Sequence, residues 1–370
     1  MIGHEGWQKN FCPSFMAFFI WVKMMQVKKI FLRTNRPAVL GFLFLSLLGT
    51  FFFCIQCGSC KIEFSMVVKT ISSHVGFFPE ISSIPRIMHT IVWNIRLPRT
   101  VLAILVGVCL STSGAVFQGC FKNPLVEPYI LGISSGAAFG AALGIVFPSF
   151  FMSVQLLAFI FGFMAVGITY SMARVRGKTP TVTLVLAGII TGSIFGSLVG
   201  IIKYTAQDTA LREIVFWLMG GFYYAGWRDV TMLFPIAMIG FIIIWISGWK
   251  INILSMGDQE ARSLGVSPEK NKFMLISLAT MMTAAAVSCV GIIAWVGLMI
   301  PHSARMITEP DHRMVIPVSA LLGAIYLIVC DTIARTLTNA EIPIGIITSL
   351  VGAPYLFYLV RSKGQRMFGG

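Results

Sequence analysis

The stretch FMLISLATMMTAAAVSCVGIIAWVGLMIPHSARMIT, residues 273–308, decides the fold. Its 36 residues include a single Asp, Glu, Lys or Arg, namely Arg305. One helix of that length would run about 54 Å, at roughly 1.5 Å per residue, against a hydrocarbon core of about 30 Å. The chain must fold back on itself between Gly291 and Gly297, leaving a full span over 273–296 and a short helix over 297–306. Working outward, apolar runs of about 18 or more residues, the length that crosses a bilayer, recur at 37–57, 100–120, 129–147, 150–171, 181–202, 230–248, 314–333 and 344–360. Nine long spans and a short tenth predict an all-α, polytopic membrane protein with about ten transmembrane helices.

Composition points the same way. The chain has 370 residues, 56% hydrophobic and 11% charged, against roughly 25% charged in soluble domains. A net charge of +14 would suit nucleic acid only on a polar surface, and a mean hydropathy of +0.84 leaves none. The charge belongs in loops beside a membrane. Ten spans put both basic ends, Lys23/Lys28/Lys29/Arg33/Arg36 and Arg361/Lys363/Arg366, on one side. The inner segments then hold 18 Lys and Arg and the outer ones nine, leaving out Lys9, which is the expected bias for cytoplasmic termini. Residues 1–36 read as a cytoplasmic N-terminal extension, 37–362 as the membrane domain with an inner loop at 250–272, and 363–370 as a cytoplasmic tail. The doublet Met24-Met25, opening a basic stretch, is the expected translation start.

Several motifs fail on their chemistry. Cys54-x-x-Cys57-x-x-Cys60 has part of an iron-sulfur spacing but lacks a fourth ligand and begins inside a span. Arg176-Gly177-Lys178-Thr179 ends like a phosphate loop, yet Met172 stands where the first glycine is needed and no strand precedes it. This chain should not bind ATP. Asp331 lies near a span end and Glu127 in an inner turn, so no mid-membrane proton relay is evident. His302 has only Asp311 and His312 nearby in sequence, a poor basis for an enzyme.

Three patterns carry more. Gly132, Gly136, Gly140 and Gly144, and then Gly188, Gly192, Gly196 and Gly200, recur every fourth residue. That spacing lines one helix face and lets another backbone approach; a polar path through Thr191, Ser193 and Ser197 is the alternative. The 250–272 loop is long and mixed in charge. In it Asp258 opens a short helix ending at Gly265, and Ser267-Pro268-Glu269 opens a second. It is either a solvated connector or a docking surface. Arg96, Arg99 and Arg335 sit at outer span ends. They either snorkel, with Asp331 and Arg335 as an i, i+4 pair, or form a patch for an acidic partner.

Further residues carry a resemblance. Arg96-Leu97-Pro98-Arg99, Ser113-Gly114-Ala115-Val116-Phe117-Gln118, Asn123-Pro124-Leu125 and Leu131-Gly132-Ile133-Ser134-Ser135-Gly136-Ala137 occur in that order. They are followed by Ala261-Arg262-Ser263-Leu264-Gly265, Gly297-Leu298-Met299-Ile300-Pro301-His302, Pro310-Asp311-His312-Arg313, Asp331-Thr332-Ile333-Ala334-Arg335, Glu341-Ile342-Pro343-Ile344-Gly345 and Gly352-Ala353-Pro354. Over about residues 85–362 the chain resembles the permease subunits of ATP-binding-cassette importers for iron siderophores, haem and cobalamin. The resemblance implies a cobalamin-importer-permease-like fold in a bacterial or archaeal inner membrane. It implies a second permease copy in a homodimer or pseudo-dimer, two cytoplasmic ATPases that hold the ATP and Mg, a substrate-binding protein outside, and no cofactor on this chain.

By the same likeness Arg96, Arg99 and Arg335 would meet acidic residues of the binding protein. Gly257, Asp258, Glu260, Ala261, Arg262, Leu264 and Gly265 would belong to the element seated on the ATPase. Asn123 and Leu125, with Thr181 and Val182, would form a cytoplasmic gate, although Pro180 and Val182 depart from the small polar residues common there. Residues 1–24 and the three cysteines lie outside the pattern. The expected mechanism is mechanical: ATPase closure pushes the 257–272 segment and switches a central path between outward and inward access. An ion-gradient-driven secondary transporter and a cysteine-based redox or metal protein are the rival readings.

Overall fold

The computed structural model describes residues 36–58, 62–75, 85–148, 152–174, 179–338 and 340–368. The Met24-Met25 start, most of the N-terminal extension, Cys60 and the 175–178 loop lie outside these residues. The described chain is helical and contains no strand. In order the helices are α1 (Arg36–Gln56), α2 (Phe64–Val75), α3 (Arg86–Phe121), α4 (Ile133–Val146), α5 (Val154–Ala173), α6 (Thr181–Thr205) and α7 (Asp208–Met219). There follow α8 (Trp227–Ile246), α9 (Gly248–Met256), α10 (Asp258–Ser263), α11 (Pro268–Val290), α12 (Val296–Ile307), α13 (His312–Thr336) and α14 (Ile344–Phe368).

Seven of these, α1, α3, α5, α6, α8, α11 and α13, are long and apolar enough to cross a bilayer. The shorter apolar α4 and α14, with α12, bring the helices along the bundle to ten, as the folded-back stretch requires. The break falls where the sequence places it. Gly291, at φ 74°, ends α11, and an added Cβ there would strike the Trp217 carbonyl. Non-helical backbone at membrane depth survives only where protein satisfies it. Here Tyr129 donates to the Ile293 carbonyl (2.9 Å) and the Gly221 amide to that of Val290 (2.8 Å).

The centre of the bundle is α3, packed against α13, α11, α8 and α12. Lipid supplies no hydrophobic drive between helices, so close backbone approach sets these crossings. Gly107 of α3 lies against Gly323 of α13, and Gly114 against Gly297 at the head of α12; a Cβ at any of the first three would collide with the facing backbone. These contacts differ from the two glycine rows read in the sequence. In α4, Gly136 and Gly140 do press on the α5 backbone at Phe161 and Leu157, and Gly188 of α6 meets Ile130. Gly132 instead sits ahead of α4 at φ 84° and splits the expected 129–147 span into a 3-10 turn and a 14-residue helix. Gly196 and Gly200 have nothing within 4 Å.

Two other expectations need correction. The sequence puts Arg96 and Arg99, on either side of Pro98, at the end of a span, yet α3 runs through Pro98 from Arg86, because a π-helical turn at Thr90–Arg96 precedes the residue that has no N–H to give. Only one short helix, α10, forms in 257–272; the second start signal is the first turn of α11 itself. At the other end of the chain α14 continues to Phe368 with no break at 362.

Candidate functional site

The bundle has two polar ends. At one, the N-terminal part of α3 and the C-terminal ends of α1 and α13 bring together Arg96, Arg99, Asp331 and Arg335 (the Arg99 end). Arg99 is 8% exposed. It donates Nε to Asp331 (2.9 Å) and Nη1 to both oxygens of Glu341 (2.9 and 3.0 Å). Arg335 reaches Asp331 at 3.5 Å and donates to the Cys54 carbonyl. Arg96 donates to the carbonyls of Ile55 (2.7 Å) and Gln56 (3.0 Å), which α1 leaves unpaired at its C-terminus. The structure thus gathers the three arginines and buries them, 5 to 9% exposed, with their guanidinium groups on acceptors of this chain. Two buried cations share one buried carboxylate, which desolvation demands. Glu341 is the most exposed member, with 38% of its side chain accessible.

At the Arg36 end lies α10. Its C-terminus is a Schellman closure: the Val266 amide donates to Ala261 (2.8 Å) and the Gly265 amide to Arg262 (3.0 Å), with Gly265 at φ 76°. Asp258 stands in the first turn rather than as the cap, which is Gly257. Its carboxylate accepts from Lys272 of α11 at 2.7 and 2.9 Å and lies 3.9 Å from Lys122, just past α3. Ala261 is buried, whereas Glu260, Arg262, Leu264 and Gly265 are exposed. A clamped mini-helix with an open outer face results.

Beside it lie the two turns singled out as a gate. The Asn123 side chain accepts from the Leu125 amide (2.9 Å), shaping the turn after α3. Leu125 and Val182 are exposed and Thr181 is half-buried at the start of α6. Glu269, which the sequence marks only as part of a helix start and not as a site residue, accepts from the Thr179 hydroxyl (2.9 Å) and amide (3.3 Å) and ties the second turn to the first turn of α11. Its only advance signal was the Ser267-Pro268-Glu269 helix start. Asp311 accepts from Asn252 (2.8 Å) and from the Arg313 amide (3.0 Å), and Arg36 lies at 3.3 Å. Partial burial pushes the Asp311 carboxyl upward, but these hydrogen bonds and the arginine charges hold it below its ordinary range. Glu127 is the reverse case: burial raises it, opposed only by the Trp295 amide at the head of α12.

Between the ends, α6 is packed along one stripe, with Leu184, Gly188, Thr191, Phe195 and Val199 buried. The opposite side is bare, and on it Ser193, Gly196, Ser197 and Gly200 make a smooth, weakly polar strip beside Ile190, Ile194 and Ile201. Thr191 belongs to the packed side, so of the three polar residues considered for a path only Ser193 and Ser197 face outward. Cys54 is buried against this core, and among the described residues no three His, Cys, Asp or Glu gather as a metal cluster.

The comparisons agree with this architecture. The family model described as the FecCD transport family matches residues 45–362. The cobalamin import system permease protein BtuC of Halobacterium salinarum is 40% identical over 284 residues, covering 76% of each chain. The hemin transport system permease protein HmuU of Yersinia pestis is 39% identical over 74% of this chain and 85% of its own. Among solved structures, a metal-chelate type ABC transporter in an inward-facing conformation superposes with a TM-score of 0.77 at 33% identity, covering 88% of this chain and 99% of that one. Ten helices along the bundle, a folded-back pair around Gly291 and a match over most of the length have one meaning: the chain belongs to the FecCD transport family, membrane permeases of ATP-binding-cassette importers.

Proposed function

We propose that the chain is the permease subunit of an importer for a metal chelate or a cofactor of that size, such as an iron siderophore, haem or cobalamin. Two copies would enclose the path, two separate ATPases would sit at the Arg36 end in the cytoplasm, and a binding protein would deliver cargo at the Arg99 end. The observation that carries the reading is the bare Ser193-Gly196-Ser197-Gly200 strip of α6. A helix left open on a side that is small and weakly polar suits the wall of an aqueous path between two copies better than a lipid contact. Named relatives that carry cobalamin and hemin support the cargo class, and one named for molybdate, at 37% identity, widens it.

In this mechanism nucleotide-driven closure pushes on the exposed face of α10. The Asp258 clamp to Lys272 and Lys122 passes the displacement to α11 and α3, and Glu269 passes it to the 179–182 turn. The gate residues Asn123, Leu125, Thr181 and Val182 then move with the ATPase contact, a rigid-body switch of access. Docking of the binding protein would exchange acceptors within the arginine cluster, with Glu341 the first to leave Arg99. Reversing Arg96 and Arg335 to Glu should weaken that docking; unchanged affinity removes the assignment.

The deciding experiment is reconstitution in liposomes. The chain alone should neither hydrolyse ATP nor accumulate cargo, and adding its ATPase and binding protein should give ATP-dependent uptake. Accumulation by the chain alone under an ion gradient would instead establish a secondary transporter.

A further inference from the structure

The Arg99 end carries a second, separate arrangement of chemistry outside the arginine cluster. His74, on the last turn of α2, and His89, in the first turn of α3, bring their Nε2 atoms within 3.3 Å of each other. The His74 ring stacks on Trp93 with centroids 3.7 Å apart and an interplanar angle of 17°. Trp93 is fixed in turn, since its carbonyl accepts from the Trp227 indole (2.9 Å). His74 Nδ1 lies 3.3 Å from the Thr70 carbonyl. A carbonyl only accepts, so Nδ1 is the donor there, and it is Nε2 that is left to offer a lone pair on the side of His89. A backbone carbonyl on Nδ1 and a free Nε2 is the arrangement that orients a metal-ligating histidine.

The spacing fits as well. Two nitrogens on a tetrahedral ion at about 2.05 Å are separated by about 3.3 Å, and the imidazole centroids then stand about 5.2 Å apart. The observed separations are 3.3 Å and 4.9 Å. We propose that His74 and His89 form a site for a borderline divalent transition ion, Zn2+ being the representative, held by two neutral imidazoles with its remaining positions open to water or to a ligand from a docking partner. Bound there, the ion would pin α2 to the start of α3, on which Arg96 and Arg99 are mounted. The inference does not depend on the cargo or on the ATP-driven mechanism.

The test uses the full chain, purified in detergent, stripped with a chelator and dialysed against Zn2+. Elemental analysis should find zinc retained by the wild type and lost in His89→Ala. That variant leaves the His74–Trp93 stack in place, and His89→Gln, which keeps much of the ring's bulk, should lose zinc equally. Cys57→Ser should retain it, separating the site from thiolate binding. Cu2+ loading should give an electron paramagnetic resonance spectrum with splitting from two nitrogens in the wild type and not in the variants. Equal zinc in the wild type and both histidine variants would overturn the site. So would no zinc in any of them, which would leave the pair as a plain N–H···N hydrogen bond.

Discussion

Asp331 is the residue on which the Arg99 end turns. It is 2% exposed and serves Arg99 and Arg335 together, while Glu341 serves Arg99 alone from a more exposed position. Removing one partner of a buried ion pair costs about 3–5 kcal/mol, because the remaining charge stays desolvated. A half-exposed pair contributes about 1 kcal/mol or less. Asp331→Ala should therefore destabilise the protein several-fold more than Glu341→Ala in free-energy terms, measured by unfolding in detergent micelles. Glu127 yields a prediction in pH. With its folded-state pKa raised, the native chain holds a proton that the unfolded chain releases, so stability falls as pH climbs from the ordinary carboxylate range through the raised value. Glu127→Gln should match the wild type in acid and become progressively the more stable of the two toward neutral pH, by thermal unfolding across that range. At this scale the sequence was only half legible. Arg96, Arg99, Asp331 and Arg335 could be picked out by position, but side-chain direction depends on which helix ends converge, and nothing local told that Cys54, Ile55 and Gln56 would supply the acceptors.

Elements were read more fully, because a bilayer imposes length and apolarity on each span. The 37–57, 150–171, 181–202 and 314–333 runs fall within a few residues of α1, α5, α6 and α13. What escaped were α2, α7 and α9, which are shorter than a span and so bear no such constraint. Glycine spacing showed which helices carry small residues without showing which meet a partner. That distinction is testable. Gly323→Ala puts a methyl against the Gly107 carbonyl and should cost about 1–3 kcal/mol by overpacking. Gly200→Ala meets nothing within 4 Å and should leave unfolding within about 0.5 kcal/mol. If α6 lines the path, the second variant should alter uptake instead. Glu269→Ala should break the tie to Thr179, lowering transport per ATP hydrolysed while leaving hydrolysis and the helical content nearly unchanged. Unaltered coupling would show that the 179–182 turn moves independently of α11.

For the whole molecule, the decisive constraint was the impossibility of running residues 273–308 straight through a membrane. From that fold-back come the even number of helices and the shared end for Arg36 and the end of α14. Family membership over residues 45–362 agrees with the order of motifs along the chain. The identity of the cargo is not written at this scale, since relatives named for cobalamin, molybdate and hemin lie within 37–40% identity of the chain. The Gly107–Gly323 crossing has a mechanical corollary. Two backbones in contact, with only the short Ser111 side chain beside them, form an axle: α3 and α13 can turn together but have little slack to shear. On the proposed function, opening and closing would fall to α4, α5 and α6 swinging about that shaft, so distance probes across α3 and α13 should hold constant through the transport cycle while those from α13 to α6 vary.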